Sequence, residues 1–228
     1  MFYLSFTPKF LQQMFPDLVW KINTHEKLIY LSFDDGPIPE LTPWILSTLD
    51  AYHAKASFFC VGHNIEKHPH LLESMLSQGH TIANHSYNHL SGWETSNLDY
   101  ILNVRKGAII TQSKLYRPPY GKIKPSQARF LKHHYKIIMW DVLSGDFDPD
   151  LTSEMCYQNV ERNAGPGSIV VFHDSLKAMQ KLKSVLPRVL EHFSLLGYQF
   201  KALDEFNLKQ NSAVYQQEIP VAGYSQWQ

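Results

Sequence analysis

Two adjacent carboxylates, Asp34 and Asp35, close the apolar run Leu28-Ile29-Tyr30-Leu31-Ser32-Phe33 and are followed at once by Gly36-Pro37. Neighbouring anions repel unless a cation or a proton relieves them. Successive side chains of an extended chain point in different directions, so the two carboxylates suit two jobs better than one shared job. Asn84-His85-Ser86-Tyr87-Asn88-His89 offers the relief. Its His-x-x-x-His spacing puts two imidazoles on one face of a helical turn, near enough to hold one metal ion. One carboxylate from the first strand completes a two-imidazole, one-carboxylate set, which zinc accepts with positions left for water and substrate.

Tyr116-Arg117-Pro118-Pro119-Tyr120-Gly121 is the third piece. An arginine beside two carboxylates lowers the pKa of one and fixes its orientation. A Pro-Pro-Tyr-Gly turn holds backbone N–H groups in place, as oxyanion stabilisation requires. Ile169-Val170-Val171-Phe172-His173-Asp174 ends an apolar run in a histidine suited to general acid catalysis. Each piece has a plainer use as well: an Asp-Gly turn, loop histidines in a chain with 12 of them, a surface arginine, a structural histidine. Their common placement outweighs those readings.

That placement follows from seven β-rich runs, Leu28–Phe33, Ala56–Cys60, Thr81–Asn84, Leu115–Arg117, Lys136–Trp140, Ser168–Phe172 and Tyr198–Ala202. Most of the intervals have helical periodicity. Helices are expected over Leu41–Tyr52, His70–Gln78 with Gly79 as its C-terminal cap, Asn97–Thr111, a segment starting at Thr152 or Ser153, and Met179–Leu196, where Pro187 marks a kink or a fresh start. Strand and helix in alternation predict an α/β fold with a parallel sheet, either a barrel or a doubly wound sheet. Asp34 and Asp35, His85 and His89, Arg117 and Tyr120, Asp141, and His173 then all follow strand C-terminal ends, the face where parallel βα folds bind ligands.

The 228 residues suit one domain with a real core. Lys and Arg number 21 against 21 Asp and Glu, which leaves no electrostatic footprint for nucleic acid or an anionic membrane. Cys60 and Cys156 form no C-x-x-C pair and read as buried thiols. No GxGxxG or GxxxxGK[ST] follows a strand. No apolar run approaches the ~20 residues of a membrane span, and Met1–Trp20 lacks the cationic start and cleavage site of a signal peptide. The expected location is the cytoplasm, with the N-terminal residues forming a helix that packs on the domain. Residues 206–228 read as a tail that wraps or frays.

Together the motifs resemble the polysaccharide deacetylase family, the carbohydrate esterases built on the NodB homology domain. Thr/Ser-Phe-Asp-Asp-Gly-Pro, His-Ser/Thr-x-x-His and Arg-x-Pro-Tyr are matched in order over roughly Lys27 to Asp204. The resemblance implies a distorted (β/α)7 barrel over residues 27–205, an N-terminal extension over 1–26, and metal-dependent removal of acetyl from an N-acetylated glycan or glycan precursor. It implies Asp34 as catalytic base, Asp35, His85 and His89 as ligands of a divalent metal, most simply Zn2+, and His173 as general acid. Arg117 would hold Asp34, and the Tyr120 N–H would face the oxyanion. The family's Asp-x-x-Asp-Trp stretch is altered: Leu143-Ser144-Gly145-Asp146-Phe147 has leucine and phenylalanine at the outer places, so Asp141 or Asp146 is left to tune His173. Val171 also stands where the family usually has leucine. The alternatives are the same attack on another amide or an O-acetyl ester, and a non-catalytic carbohydrate-binding protein.

Overall fold

The computed structural model describes residues 4–204. Its central strand β1, Leu28–Asp34, is buried along almost its whole length, and the period of two sorts its side chains. Ile29, Leu31 and Phe33 face the covering helices, whereas Tyr30 packs with Phe59, Ala83, Leu115, Ile138 and Ile169 on the inner face. Ser32 and Asp34 share the inner parity and are buried with it. Near-continuous apolar runs of this kind suit parallel strands covered on both sides.

Around β1 stand β2 (Ala56–Cys60), β3 (Thr81–Asn84), β4 (Leu115–Tyr116), β5 (Lys136–Ile137), β6 (Val142–Leu143) and β7 (Ile169–His173), in the order β5-β4-β3-β2-β1-β7-β6, all parallel. A short β8, Gln199–Phe200, pairs with the start of β1. The sheet curls into the distorted barrel that the motifs imply. In register, Asp34 lies beside Phe59 on one side and His173 on the other, so the ends of β1 and β7 place those two side by side.

The helices are α1 (Lys9–Met14), α2 (Thr42–Ala51), α3 (Gly62–Lys67), α4 (Pro69–Ser77), α5 (Asn97–Thr111), α6 (Pro125–Leu131), α7 (Ser153–Asn163) and α8 (Met179–Leu195). Several ends follow the sequence signals. Ser96 and Thr152 cap α5 and α7 by accepting from Asp99 N and Met155 N, 3.2 Å each. Gly79, at φ +75°, closes α4 with paired bonds from Gly79 N to Leu76 O and from His80 N to Met75 O. α8 runs through Pro187 as one helix. No helix among the described residues is long and apolar enough to cross a membrane.

Two expectations change. The run Lys136–Trp140 is not one strand: β5 stops at Ile137, and Asp141 stands at the start of β6 instead of at a strand's C-terminal end. The N-terminal residues do not form a packed helix. α1 buries no residue, and the segment is mainly an extended ribbon. Leu143 N bonds Ser5 O, Thr7 N bonds Asp141 O, Val19 N bonds Ile137 O, Met139 N bonds Val19 O, and Ile22 N bonds Gly167 O, all at 2.7–2.9 Å. The ribbon thus satisfies backbone groups between β5 and β6, the open seam of the barrel. Cys60 and Cys156 are free and buried as expected. The expected tail, 206–228, lies outside the described residues.

Candidate active site

Asp34 ends β1 on the inner face, where it meets Arg117 just beyond β4. Arg117 is fully buried. Its Nη1 donates to Asp34 Oδ1 at 2.6 Å and to Ser32 Oγ at 2.8 Å, Nε donates to Ile138 O at 3.2 Å, and Nη2 donates to Met139 O at 3.1 Å. The guanidinium carbon lies 3.9 Å from the centre of the Phe59 ring. Burial pulls the guanidinium pKa below its ordinary value, and the Asp34 charge works against that pull. With Oδ1 held, Asp34 is left with Oδ2 directed toward His85, whose Nε2 is 3.9 Å away.

Asp35 turns the other way. Its backbone adopts φ +81°, an unusual value for a non-glycine residue, and Asn64 Nδ2 of α3 donates to its carbonyl at 2.8 Å. Its Oδ1 lies 3.0 Å from His89 Nε2 and 3.7 Å from His85 Nε2. That oxygen is buried and has no hydrogen-bond partner. Burial alone would raise the Asp35 pKa, but His89, His173 and His85 outweigh it and hold the carboxyl well below the usual carboxylate range.

The histidines are prepared as ligands. His85 Nδ1 is 2.9 Å from Arg117 O, which can only accept, so Nδ1 carries the proton and Nε2 presents its lone pair. Burial lowers the His85 pKa to about 4, which keeps the ring neutral, as metal ligation needs. The spacing works through a loop and not through the expected helical turn. Ser86 and His89 have φ of +63° and +58°, with Ser86 N bonded to Asn84 Oδ1 at 2.8 Å and His89 N to Ser86 Oγ at 3.0 Å. One donor atom each from Asp35, His85 and His89 lies within 4.8 Å of the others. An orphaned buried carboxylate oxygen facing two imidazole nitrogens fits a divalent cation.

His173 ends β7 beside Asp34. Its Nδ1 lies 2.8 Å from Asp146 Oδ1, and its backbone N–H donates to Asp146 Oδ2 at 2.8 Å. Burial would lower the imidazole pKa, but the Asp146 charge and hydrogen bond, with Asp35 and Asp34 behind them, push it up to about 9. Asp146 is therefore the partner of His173, and Asp141 is not. Asp141 instead accepts from Ile169 N at 2.7 Å and Ser168 Oγ at 2.9 Å, with Lys21 Nζ at 3.3 Å, at the beginning of β7. The cause is the broken strand, which leaves Asp141 at the opposite pole from His173. Phe147 packs its ring edge-on to His173, with centroids 4.8 Å apart.

Tyr120 sits in a short 3-10 turn, Pro119–Gly121, at φ +60°, and its ring packs against His89 with centroids 4.5 Å apart. Gly121 N and Lys122 N are committed to Pro118 O and Pro119 O, 3.0 Å each. Gly121 also has positive φ, and a Cβ there would stand 2.8 Å from the Trp140 ring, so the turn admits only glycine without displacement. Ser32 and Asn64 were not singled out by sequence. Ser32 carries only its place at the head of the Thr/Ser-Phe-Asp-Asp-Gly-Pro motif and its parity with Asp34, and Asn64 carries no signal.

A sequence model described as polysaccharide deacetylase matches residues 21–135. The chain is 31% identical over 198 residues to a peptidoglycan-N-acetylglucosamine deacetylase of Bacillus cereus, covering 82% of this chain and 92% of that one. The chain belongs to the polysaccharide deacetylase family. A second relative, the peptidoglycan-N-acetylglucosamine deacetylase PgdA of Listeria monocytogenes, is 32% identical over 186 residues, 78% of this polysaccharide deacetylase but only 38% of PgdA. The fold agrees. The crystal structure of the Bc1960 peptidoglycan N-acetylglucosamine deacetylase, in complex with 4-naphthalen-1-yl-N-oxidanyl-benzamide, superposes with a TM-score of 0.79 at 28% identity, covering 86% of this chain and 95% of that one. The peptidoglycan deacetylase PdaC from Bacillus subtilis superposes at 0.73 with 27% identity, covering 86% and 98%. Family membership makes this chain a hydrolase of the deacetylase class.

Proposed function

We propose that the chain is a metal-dependent de-N-acetylase of N-acetylated glycans, with peptidoglycan N-acetylhexosamines, the substrates in its relatives' names, as the first class to assay. The observation that carries this reading is the separation of the two carboxylates: Asp34 is bound to Arg117, whereas Asp35 presents an orphaned oxygen to His85 and His89. A divalent cation held by Asp35, His85 and His89, with zinc the first choice, supplies Lewis-acid polarisation of the amide carbonyl and acidifies water.

The chain's own groups do the rest. Asp34 Oδ2 takes the proton of the attacking water while Arg117 fixes Oδ1. The new C–O bond leaves a negative oxygen, toward which the Tyr120 N–H donates. As the C–N bond breaks, its electron pair goes to nitrogen and His173 Nε2 delivers a proton there, with Nδ1 held by Asp146. The products are acetate and the free amino sugar.

Chelation is expected to abolish acetate release from N-acetylglucosamine oligomers or peptidoglycan, and Zn2+ to restore it. Metal analysis should find about one divalent ion per wild-type chain and little in Asp35→Asn or His89→Ala. Full turnover by protein shown to be metal-free would end this reading.

The pH profile tests the acid. His173 must carry its proton to act, so kcat/KM should hold through neutral pH and fall as pH rises through about 9. Asp146→Asn removes the partner that raises the pKa, and the alkaline limb should move down toward the ordinary imidazole range. A limb that does not move would remove Asp146 from this role. The same raised pKa contributes stability that is present in full below the ordinary imidazole pKa and lost as pH climbs through about 9.

A further inference from the structure

α5 presents two opposite faces with the same spacing. The inner one, Tyr100, Val104, Gly107 and Thr111, is buried. It grips the segment that carries His85 and His89: Val104 O accepts from Asn84 Nδ2 at 2.9 Å, Asn103 Oδ1 accepts from Tyr87 N and Asn88 N at 3.0 Å each, and a Cβ at Gly107 would stand 2.4 Å from Asn84 Oδ1. With that face committed, the helix cannot turn its other face inward. The outer face carries Leu98, Leu102, Arg105 and Ile109, each two residues before an inner position and so roughly 200° around the helix from it. Leu98, Leu102 and Ile109 are 67%, 51% and 69% exposed, and Arg105 is exposed between them.

Single exposed leucines are ordinary, but steps of four, three and four residues are those of a heptad seam, the pattern by which one helix packs along another. The pattern matches its own reverse. Set antiparallel about a two-fold axis between residues 103 and 104, Leu98 meets Ile109 of a second copy, and Leu102 meets the aliphatic stem of its Arg105. Charge selects the same orientation. Asp99 lies in the N-terminal half of α5, and Arg105 and Lys106 lie in the C-terminal half. Antiparallel packing brings Asp99 to within about 4.5 Å, along the axis, of Arg105 in the second copy, and it opposes the two helix dipoles. Parallel packing would set each charge against its like. Lys106 Nζ lies over the Tyr87 ring, 3.4 Å from its centre, so Arg105 is the base assigned to Asp99.

We propose that the outer face of α5 is a homodimer interface, in which two copies of this chain pack their α5 helices antiparallel, Leu98 on Ile109 and Leu102 on Arg105, with Asp99 paired to Arg105 across the seam. The seam spans only two heptads, so the dimer belongs at the small end of specific interfaces, with a Kd of roughly 1–100 μM.

Sedimentation equilibrium of the full chain across that range should show a reversible monomer–dimer equilibrium. Leu102→Lys sets an ammonium against Arg105 of the second copy and should raise Kd by roughly tenfold or more. Asp99→Lys and Arg105→Glu should each weaken the dimer, and the two together should recover most of the loss, which a general change in surface polarity would not produce. All four positions are exposed, so circular dichroism should match wild type in every variant. Orientation has its own readout. A mixture of Leu98→Cys and Ile109→Cys proteins under oxidised glutathione should form a disulfide-linked pair, with the buried Cys60 and Cys156 protected, whereas Leu98→Cys alone should form little. A chain that stays monomeric at every concentration, as it would if residues 205–228 or another protein covered α5, would overturn the proposal. So would a dimer indifferent to Leu102→Lys, or efficient linkage of Leu98→Cys to itself.

Discussion

Asp34→Asn is expected to lower kcat for acetate release by about 10²- to 10⁴-fold, the range for losing a positioned general base, while the protein keeps its metal and its fold. Asparagine retains an oxygen that can accept from Arg117 Nη1, now 2.6 Å from Asp34 Oδ1, so the buried guanidinium keeps a partner. It cannot take a proton from water. The neighbouring Asp35→Asn should fail differently, by losing the metal, because the Asp35 oxygen faces His85 and His89 and not Arg117. Kinetics and metal content on the two single variants therefore separate base from ligand. Wild-type kcat in Asp34→Asn, or metal loss in Asp34→Asn but not in Asp35→Asn, would reverse the assignment.

The sequence made this division of labour readable because a strand alternates its side chains. Asp34 shares the inner parity of Tyr30 and Ser32, and Asp35 stands beyond the strand's end. His85 and His89 were also legible, but for a partly wrong reason: their spacing suggested a helical turn, whereas two left-handed residues and Asn84 Oδ1 shape a loop with the same result. Helix caps at Thr152 and Gly79 were local signals and held. What sequence concealed is nonlocal. The N-terminal ribbon pairs with residues more than a hundred positions away, so its Phe and Leu content read as a helix face. Ile138-Met139-Trp140 extends the apolar pattern of β5, but Ile138 O and Met139 O accept from Arg117, and the strand breaks there. That break carried Asp141 to the wrong pole and left Asp146 to hold His173. α3, the six residues GHNIEK, is too short and polar for periodicity to find, yet it supplies Asn64.

Arg117→Met should produce the largest loss of stability, about 3–5 kcal/mol, the usual cost of removing one partner of a buried ion pair. Methionine would fill part of the space, but Asp34, Ser32 Oγ and the carbonyls of Ile138 and Met139 would lose their donor in a region without exposure. Chemical denaturation of wild type, both single variants and Arg117→Met/Asp34→Asn gives the coupling. Once the arginine is gone, removing the Asp34 charge should recover part of the loss, so the double variant should be more stable than the sum of the singles by more than ~0.5 kcal/mol. Additivity within that margin would mean that the pair contributes nothing specific. The same variant also distinguishes the side chain of Arg117 from its main chain. His85 Nδ1 is oriented by the Arg117 carbonyl, which methionine retains, so the folded fraction of Arg117→Met should still bind metal although its base is no longer held. Arg117 thus serves the two carboxylates by different atoms: its guanidinium fixes Asp34, and its carbonyl, through His85, faces the metal site of Asp35.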